Sequence, residues 1–321
     1  MPDSEKKLDD LEKAIARAIV FFDMFAYPLT AQEIFWYLDR PASLAEVAAA
    51  LKNSPDFIGE KNGFYFLAGR GENLTERPRR FNFTARKIKI ARRIAKVFRF
   101  VPFIEMIALS NVIGSHNLRE GSDIDFFVIT RPRRIWLTRF LCAGLAKILN
   151  LRPNKKTKRD KICLSFYITT ERLDLADLKI SSDDWYFNYW LAGLVPLYDR
   201  DGVYDSLIAA NPWIRDCLPN WEPLLLARSR EIRPVYKKRE AVSEKSASGS
   251  PEKAPARGRC LDSLEKAAKK FQMKILPAAL KELMNKDTRV IINDSILKLY
   301  LTDRRAEFME KYEAKLRTLD I

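Results

Sequence analysis

The apolar positions of the chain fall into successive blocks whose period changes. Leu11, Ile15, Ala18, Ile19 and Phe22 recur at helical spacing and predict a first helix, which ends before Pro28. Thr30 with Glu33, and Ser43 with Glu46, are two capping-box signatures. The first opens a short helix through Ile34, Phe35 and Leu38, the second another through Val47, Ala50 and Leu51. Two apolar runs, 57–60 and 64–67, then flank Asn62-Gly63, the strongest short hairpin signal. Residues 8–70 therefore read as three helices followed by a β-hairpin.

Residues 71–99 form a connector of different character. Ile88, Ala91, Ile94, Ala95 and Phe98 make a helical stripe, and around them 77–99 carry ten Lys or Arg and no acid. Such a face either neutralises phosphates or is a solvated face linking two domains. The period next shortens. Residues 107–110 and 123–130 are β-prone, 134–149 read as a crossover helix with an apolar body, and 161–169 as a further strand. Residues 184–198 are rich in aromatics, which reads as core packing of a following helix, and two short helices complete a domain over 100–235. Residues 236–260, built of Ser, Gly, Pro and charged side chains, read as a flexible linker. A mostly helical region, 261–321, closes the chain: a helix that Pro277 kinks, a short β-prone run at 290–292, and a charged helix at 304–316.

Composition narrows the chemistry. The 321 residues hold a single His and four scattered Cys with no Cys-x-x-Cys pair, so neither a structural zinc site nor a multi-histidine centre is expected. Those thiols, the lack of an apolar leader and the lack of any 18-residue apolar run point to a cytoplasmic protein without a transmembrane segment. A formal charge of +15 and a pI near 9.6 favour acidic partners, nucleotides or nucleic acid, with residues 77–99 as the candidate surface.

The sharpest local signal is Ser122-Asp123-Ile124-Asp125-Phe126. Positions two apart on a strand share a face, so both carboxylates point the same way. Like charges that close are costly unless a cation bridges them. Mg2+ takes oxygen ligands of this kind, commonly one or two carboxylates plus substrate phosphates.

In this segment, and in the strand and polar loop before it, the chain resembles the nucleotidyltransferase superfamily related to DNA polymerase beta. More closely, it looks like minimal nucleotidyltransferase-domain proteins with a small helical or winged-helix module in front. The resemblance implies an α+β fold: a small mixed-sheet domain behind an N-terminal winged-helix-like module, with C-terminal helices. It implies that Asp123 and Asp125 hold Mg2+ or Mn2+ as catalytic residues. It also implies that an NTP is bound, its monophosphate being moved to a hydroxyl acceptor. Asn111, Gly114, Ser115 and Arg119 are the candidate phosphate ligands. The sequence departs from the superfamily pattern twice. Val112 stands eleven residues before Asp123, where a Ser is usual, with Gly114-Ser115 three residues late. The strand at 161–169 has no acid; Cys163 or Ser165 occupies the facing position, and Asp160 at its end is the candidate third carboxylate. These departures support an alternative, a catalytically degenerate nucleotide- or nucleic-acid-binding regulatory protein. The third N-terminal helix carries one acid and one base and is a poor DNA-reading surface.

Overall fold

The computed structural model describes residues 8–111, 114, 116–154, 157–223 and 256–321. Helix α1 (Asp10–Asp23) begins at a capping box formed by Asp9 and Glu12. Strand β1 (Leu29–Thr30) leads into α2 (Ala31–Tyr37), and α3 (Leu44–Lys52) follows. Both predicted capping boxes are formed: the Thr30 and Ser43 hydroxyls accept from the Glu33 and Glu46 amides, and each Glu carboxylate accepts from its cap residue's amide. Each such cap contributes about 1 kcal/mol to its helix. Strands β2 (Ile58–Lys61) and β3 (Phe64–Leu67) form the hairpin across Asn62-Gly63, both left-handed. Strand β1 adds to β3, making a three-stranded antiparallel sheet of order β1-β3-β2.

Helix α4 (Asn73–Phe98) is one long helix that runs through Pro78 and covers the whole predicted connector. Beyond it lies a six-stranded sheet of order β7-β4-β5-β6-β9-β8. Its strands are β4 (Ile104–Leu109), β5 (Ile124–Thr130), β6 (Ile162–Thr169), β7 (Val195–Asp199), β8 (Val290–Ile292) and β9 (Ile296–Leu299). Only β5 and β6 run parallel, as their connection through the crossover helix α5 (Ile135–Ile148) requires. Alternation along the strands feeds two cores, one on each face. Met106, Ala108, Phe127, Ile129, Phe166 and Ile168 pack with α1, α6 (Trp185–Ala192) and α11 (Arg305–Thr318). Ile107, Leu109, Phe126, Val128, Ile162 and Leu164 face α4, α5 and α9 (Ala256–Ile275). The short helices α7 (Val203–Ala209), α8 (Trp213–Cys217) and α10 (Ala278–Leu283) close the periphery, the last beginning after Pro277.

Three features add to or alter the sequence reading. The N-terminal elements share a core with the large sheet: Phe21 packs on Tyr189 at 4.4 Å and on Tyr312 at 5.6 Å. In the C-terminal region the β-prone run at 290–292 is strand β8, and a second strand the sequence reading did not name, β9, follows it. The β8-β9 hairpin extends the main sheet, with β9 antiparallel to β6. Helix α9 starts at Ala256, inside the span assigned to the linker, and the rest of that linker lies outside the described residues. The aromatic run divides into α6 and strand β7; most of α6 is buried, but Trp185 and Tyr186 at its start are only partly so. No helix of the described residues is long and apolar enough to cross a membrane.

Candidate metal and nucleotide site

Strand β5 begins one residue after Asp123, and Asp125 is its second residue. In the parallel register Asp125 lies opposite Cys163 of β6, so the carboxylate and the thiol stand side by side on one face. Beyond this pair the register shifts, because β6 carries one residue more than β5 before Phe127 meets Phe166. The donor atoms of Asp123, Asp125 and Cys163 all lie within 4.8 Å of one another. Asn111 follows β4 in the left-handed region at φ +60°, and its side chain hydrogen-bonds Asp125. The β4–β5 junction is held by the Ser110 amide, which donates to the Asp125 carbonyl at 2.9 Å.

Electrostatics mark Asp125. Burial, and next the Asp123 charge, push it up to about 6, against hydrogen bonds from Asn111 and Cys163. Burial and then the charge of Asp125 push the Cys163 thiol up to about 12, while its sulfur lies 2.9 Å from the Ser165 hydroxyl. The cluster is thus short of positive charge. Among the described residues the donor set is two carboxylates and a thiol; the carboxylates suit a hard cation such as Mg2+ or Mn2+.

Asp123 opens onto a cavity of about 780 Å³. Asn111, Arg119, Ser122 and Lys158 also line it. Tyr186 and Trp190 come from α6; Lys298, Tyr300, Arg304 and Phe308 come from β9, the loop after it and α11. Tyr186 and Phe308 stack at 5.5 Å and 21°. Burial and then Arg305 push the Lys298 ammonium down to about 8. Arg305 is committed elsewhere: it bonds Asp184 at 2.8 Å and Asp303 at 2.7 Å, pinning the start of α11 to the cap of α6. Asp303 lines the cavity but is engaged in that pair.

The predicted residues do not all converge here. Asp123, Asn111 and Arg119 line the cavity with Asp125 just behind, whereas Gly114 lies against Tyr27 of the N-terminal elements. At φ +78°, a Cβ on Gly114 would sit 2.7 Å from that ring, so the glycine is required by close approach. Ser115 lies outside the described residues. Asp160 turns toward α4, where its carboxylate accepts from Lys87 at 3.0 Å and Arg86 at 3.2 Å. Burial pushes Asp160 up, but the Lys87 hydrogen bond and the Lys87 and Arg86 charges outweigh it and hold it below the usual range. Lys87, fully buried, also donates to the Ser122 carbonyl at 2.6 Å, tying α4 to the residue before Asp123. His116 packs on Phe81 at 4.6 Å.

Sequence reasoning missed the C-terminal wall of the cavity. Its signal was present: Val290-Ile291-Ile292 and Ile296-Leu297-Lys298-Leu299 flank Asn293-Asp294-Ser295, a hairpin pattern. No protein-family model, no curated protein and no solved structure matches this chain.

Proposed function

We propose that the cavity binds a nucleoside triphosphate with a divalent cation, and that the protein transfers the nucleoside monophosphate to a hydroxyl acceptor with release of pyrophosphate. The observation that carries this reading is the Asp123–Asp125 pair at the edge of a cavity lined by cations and aromatic rings. Asp123 and Asp125 would hold the cation, which would neutralise charge developing on the transferred phosphoryl group. Arg119, Lys158, Lys298 and Arg304 all line the cavity and supply cations to meet phosphates. The Tyr186–Phe308 stack offers a flat apolar surface for a base. The start of β5, where Asp123 and Asp125 stand, in a mixed sheet with β6 parallel to it supports the nucleotidyltransferase-like reading. Three helices with a three-stranded sheet likewise support a winged-helix reading of residues 8–70.

A polynucleotide is the acceptor class that the basic helix favours. Arg77, Arg80, Arg86 and Lys87 are spent on contacts inside the protein, with Glu33, the Phe25 carbonyl and Asp160 among their partners. Lys89, Arg93 and Lys96 remain exposed along one side of α4 and supply the outward charge.

One observation favours binding without transfer. The third position beside the carboxylates is a thiol whose pKa lies far above neutrality, a poor acceptor for the proton of an attacking hydroxyl, and Asp160 is paired with Lys87 and Arg86. The deciding experiment incubates the purified chain with α-phosphate-labelled nucleoside triphosphates, Mg2+ or Mn2+, and RNA, DNA and protein acceptors. Label transfer that Asp123→Asn abolishes establishes the transferase. Metal-dependent nucleotide binding that Asp123→Asn abolishes, with no transfer to any acceptor, establishes the regulatory binding protein. No metal-dependent nucleotide binding at all rejects both.

A further inference from the structure

The parallel register places a sulfur where Mg2+ has no use for one. Cys163 is the cross-strand neighbour of Asp125, and its sulfur lies within 4.8 Å of a carboxylate oxygen from each of Asp123 and Asp125. Donor atoms around one tetrahedral ion are about 3.3 to 3.7 Å apart when metal–ligand distances are about 2.0 to 2.3 Å. Modest side-chain rotations therefore suffice to close the three donors on an ion. Ser165, two residues further along β6, already has its hydroxyl 2.9 Å from the sulfur. That hydroxyl is placed to donate to a thiolate, the outer contact that orients and stabilises a sulfur ligand.

We propose that Cys163 is the third protein ligand of the cation held by Asp123 and Asp125, and that the site therefore prefers a thiophilic divalent ion, Zn2+ foremost, to Mg2+. The proposal rests on the cation-binding reading of the cavity given above. Mg2+ is hard and keeps to oxygen, whereas Zn2+ takes carboxylate and thiolate together. On binding, the thiol proton passes to water and the sulfur joins the ion as thiolate. Three protein donors, from the residue before β5, from β5 and from β6, leave a fourth position open to the cavity, unlike a closed structural zinc site. Two carboxylates and a thiolate exceed the charge of a divalent ion by one, and the nearest source of offsetting charge is the cavity lining, which includes Arg119 and Lys158. The other cysteines stand apart from this arrangement: Cys142 is buried in the opposite core, Cys217 belongs to α8 and Cys260 to the exposed side of α9.

The test uses the full chain stripped of metal by a chelator and Co2+ as a spectroscopic stand-in for Zn2+. The wild type gives a thiolate-to-cobalt charge-transfer band in the near ultraviolet, which one equivalent of Zn2+ removes and a large excess of Mg2+ does not. Cys163→Ser loses the band and binds Zn2+ at least tenfold more weakly by calorimetry, while Cys260→Ser keeps both. Cys163→Asp, which restores an oxygen donor, gains affinity for Mg2+ at least tenfold; thermal melts of each variant check that the fold is kept. A band that survives in Cys163→Ser overturns the proposal. So does Mg2+ binding tighter than Zn2+ in the wild type, an outcome that leaves the nucleotide reading standing. Absence of any divalent-ion binding, with or without nucleotide, overturns both.

Discussion

Asn at position 125 keeps the shape of the side chain and removes a charge that the fold holds at a cost. Burial, and next the charge of Asp123, push Asp125 up to about 6 from an ordinary value of 3.8. A gap of about two pH units between folded and unfolded chains corresponds to roughly 3 kcal/mol, at about 1.4 kcal/mol per unit. Asn111 and Cys163 hydrogen-bond the carboxylate, and the amide loses part of that, so roughly 3 kcal/mol is the upper bound of the gain. The sign is fixed by linkage. Above about pH 6 the carboxylate is ionised in both states and the wild type bears the whole cost; below about pH 4 it is protonated in both and the cost is gone. Asp125→Asn therefore stabilises at pH 8, and its advantage shrinks as the pH falls from 6 to 4. With an unfolding entropy of about 2.1 cal/mol/K per residue, a gain of ~3 kcal/mol over this chain raises Tm by about 4 °C. Calorimetric melts of both proteins at pH 8, 6 and 4.5, first without divalent ions, measure the difference at each pH. A saturating divalent ion should then raise Tm of the wild type and leave the variant nearly unmoved, because the ion relieves the same repulsion. A variant that melts below the wild type at pH 8, or by a pH-independent margin, refutes the account of two crowded carboxylates.

Other perturbations follow from the same contacts. Replacing Lys89, Arg93 and Lys96 together by Ala should lower the slope of log affinity against log salt for duplex DNA by about 2.7, at about 0.9 per phosphate contact; an unchanged slope in filter-binding titrations removes α4 as the nucleic-acid face. Gly114→Ala should cost about 2 to 4 kcal/mol, combining a strained left-handed backbone with a Cβ driven into the Tyr27 ring. Denaturant unfolding measures it, and a cost under about 1 kcal/mol would mean that the loop does not approach Tyr27 as described. Tyr186→Ala and Phe308→Ala should each weaken nucleotide binding about 5-fold or more, since a base–aromatic stack contributes about 1 to 3 kcal/mol; calorimetric titration at matched folded fractions reads it, and full affinity in both variants excludes this stack as the base platform.

How far the chain discloses its structure depends on the range of the interactions involved. The capping boxes at Thr30 and Ser43 and the Asn62-Gly63 turn act within four residues, and each appears where the sequence places it. The strand bearing Asp125 was readable for the same reason, since the β-prone, β-branched and aromatic run after it is local. What escaped was long-range. The hairpin of β8 and β9 is short, and only pairing with β6 makes it part of the sheet, a partnership no local pattern specifies. That omission hid Lys298, Tyr300 and Arg304, which become cavity residues through that pairing and the chain that follows it. The absence of an acid in β6 was legible, and Cys163 or Ser165 could both be named for the facing position. The register Asp125↔Cys163, which selects the thiol, was not legible, because the extra residue in β6 shifts the alternation just beyond it. The fate of Asp160 was equally hidden. Its partners Arg86 and Lys87 are more than seventy positions earlier, and a basic helix read alone shows no sign of turning a buried lysine toward it.

The pairing of β6 with β9 has a consequence for how the molecule is made. Phe166 and Lys298 are matched across the sheet although 132 positions separate them, and one wall of the cavity arrives with the later strand. During synthesis β6 therefore spends the time needed to make that intervening chain with one row of backbone amides and carbonyls unmatched. Such an edge is a template for pairing with another chain. A ribosome stalled before residue 296, or a product truncated there, would present a half-built sheet with an adhesive border and no enclosed pocket. The cavity is thus enclosed only once residues 296–308 have been made, and no collapse of the earlier chain alone can give it a form that holds a ligand.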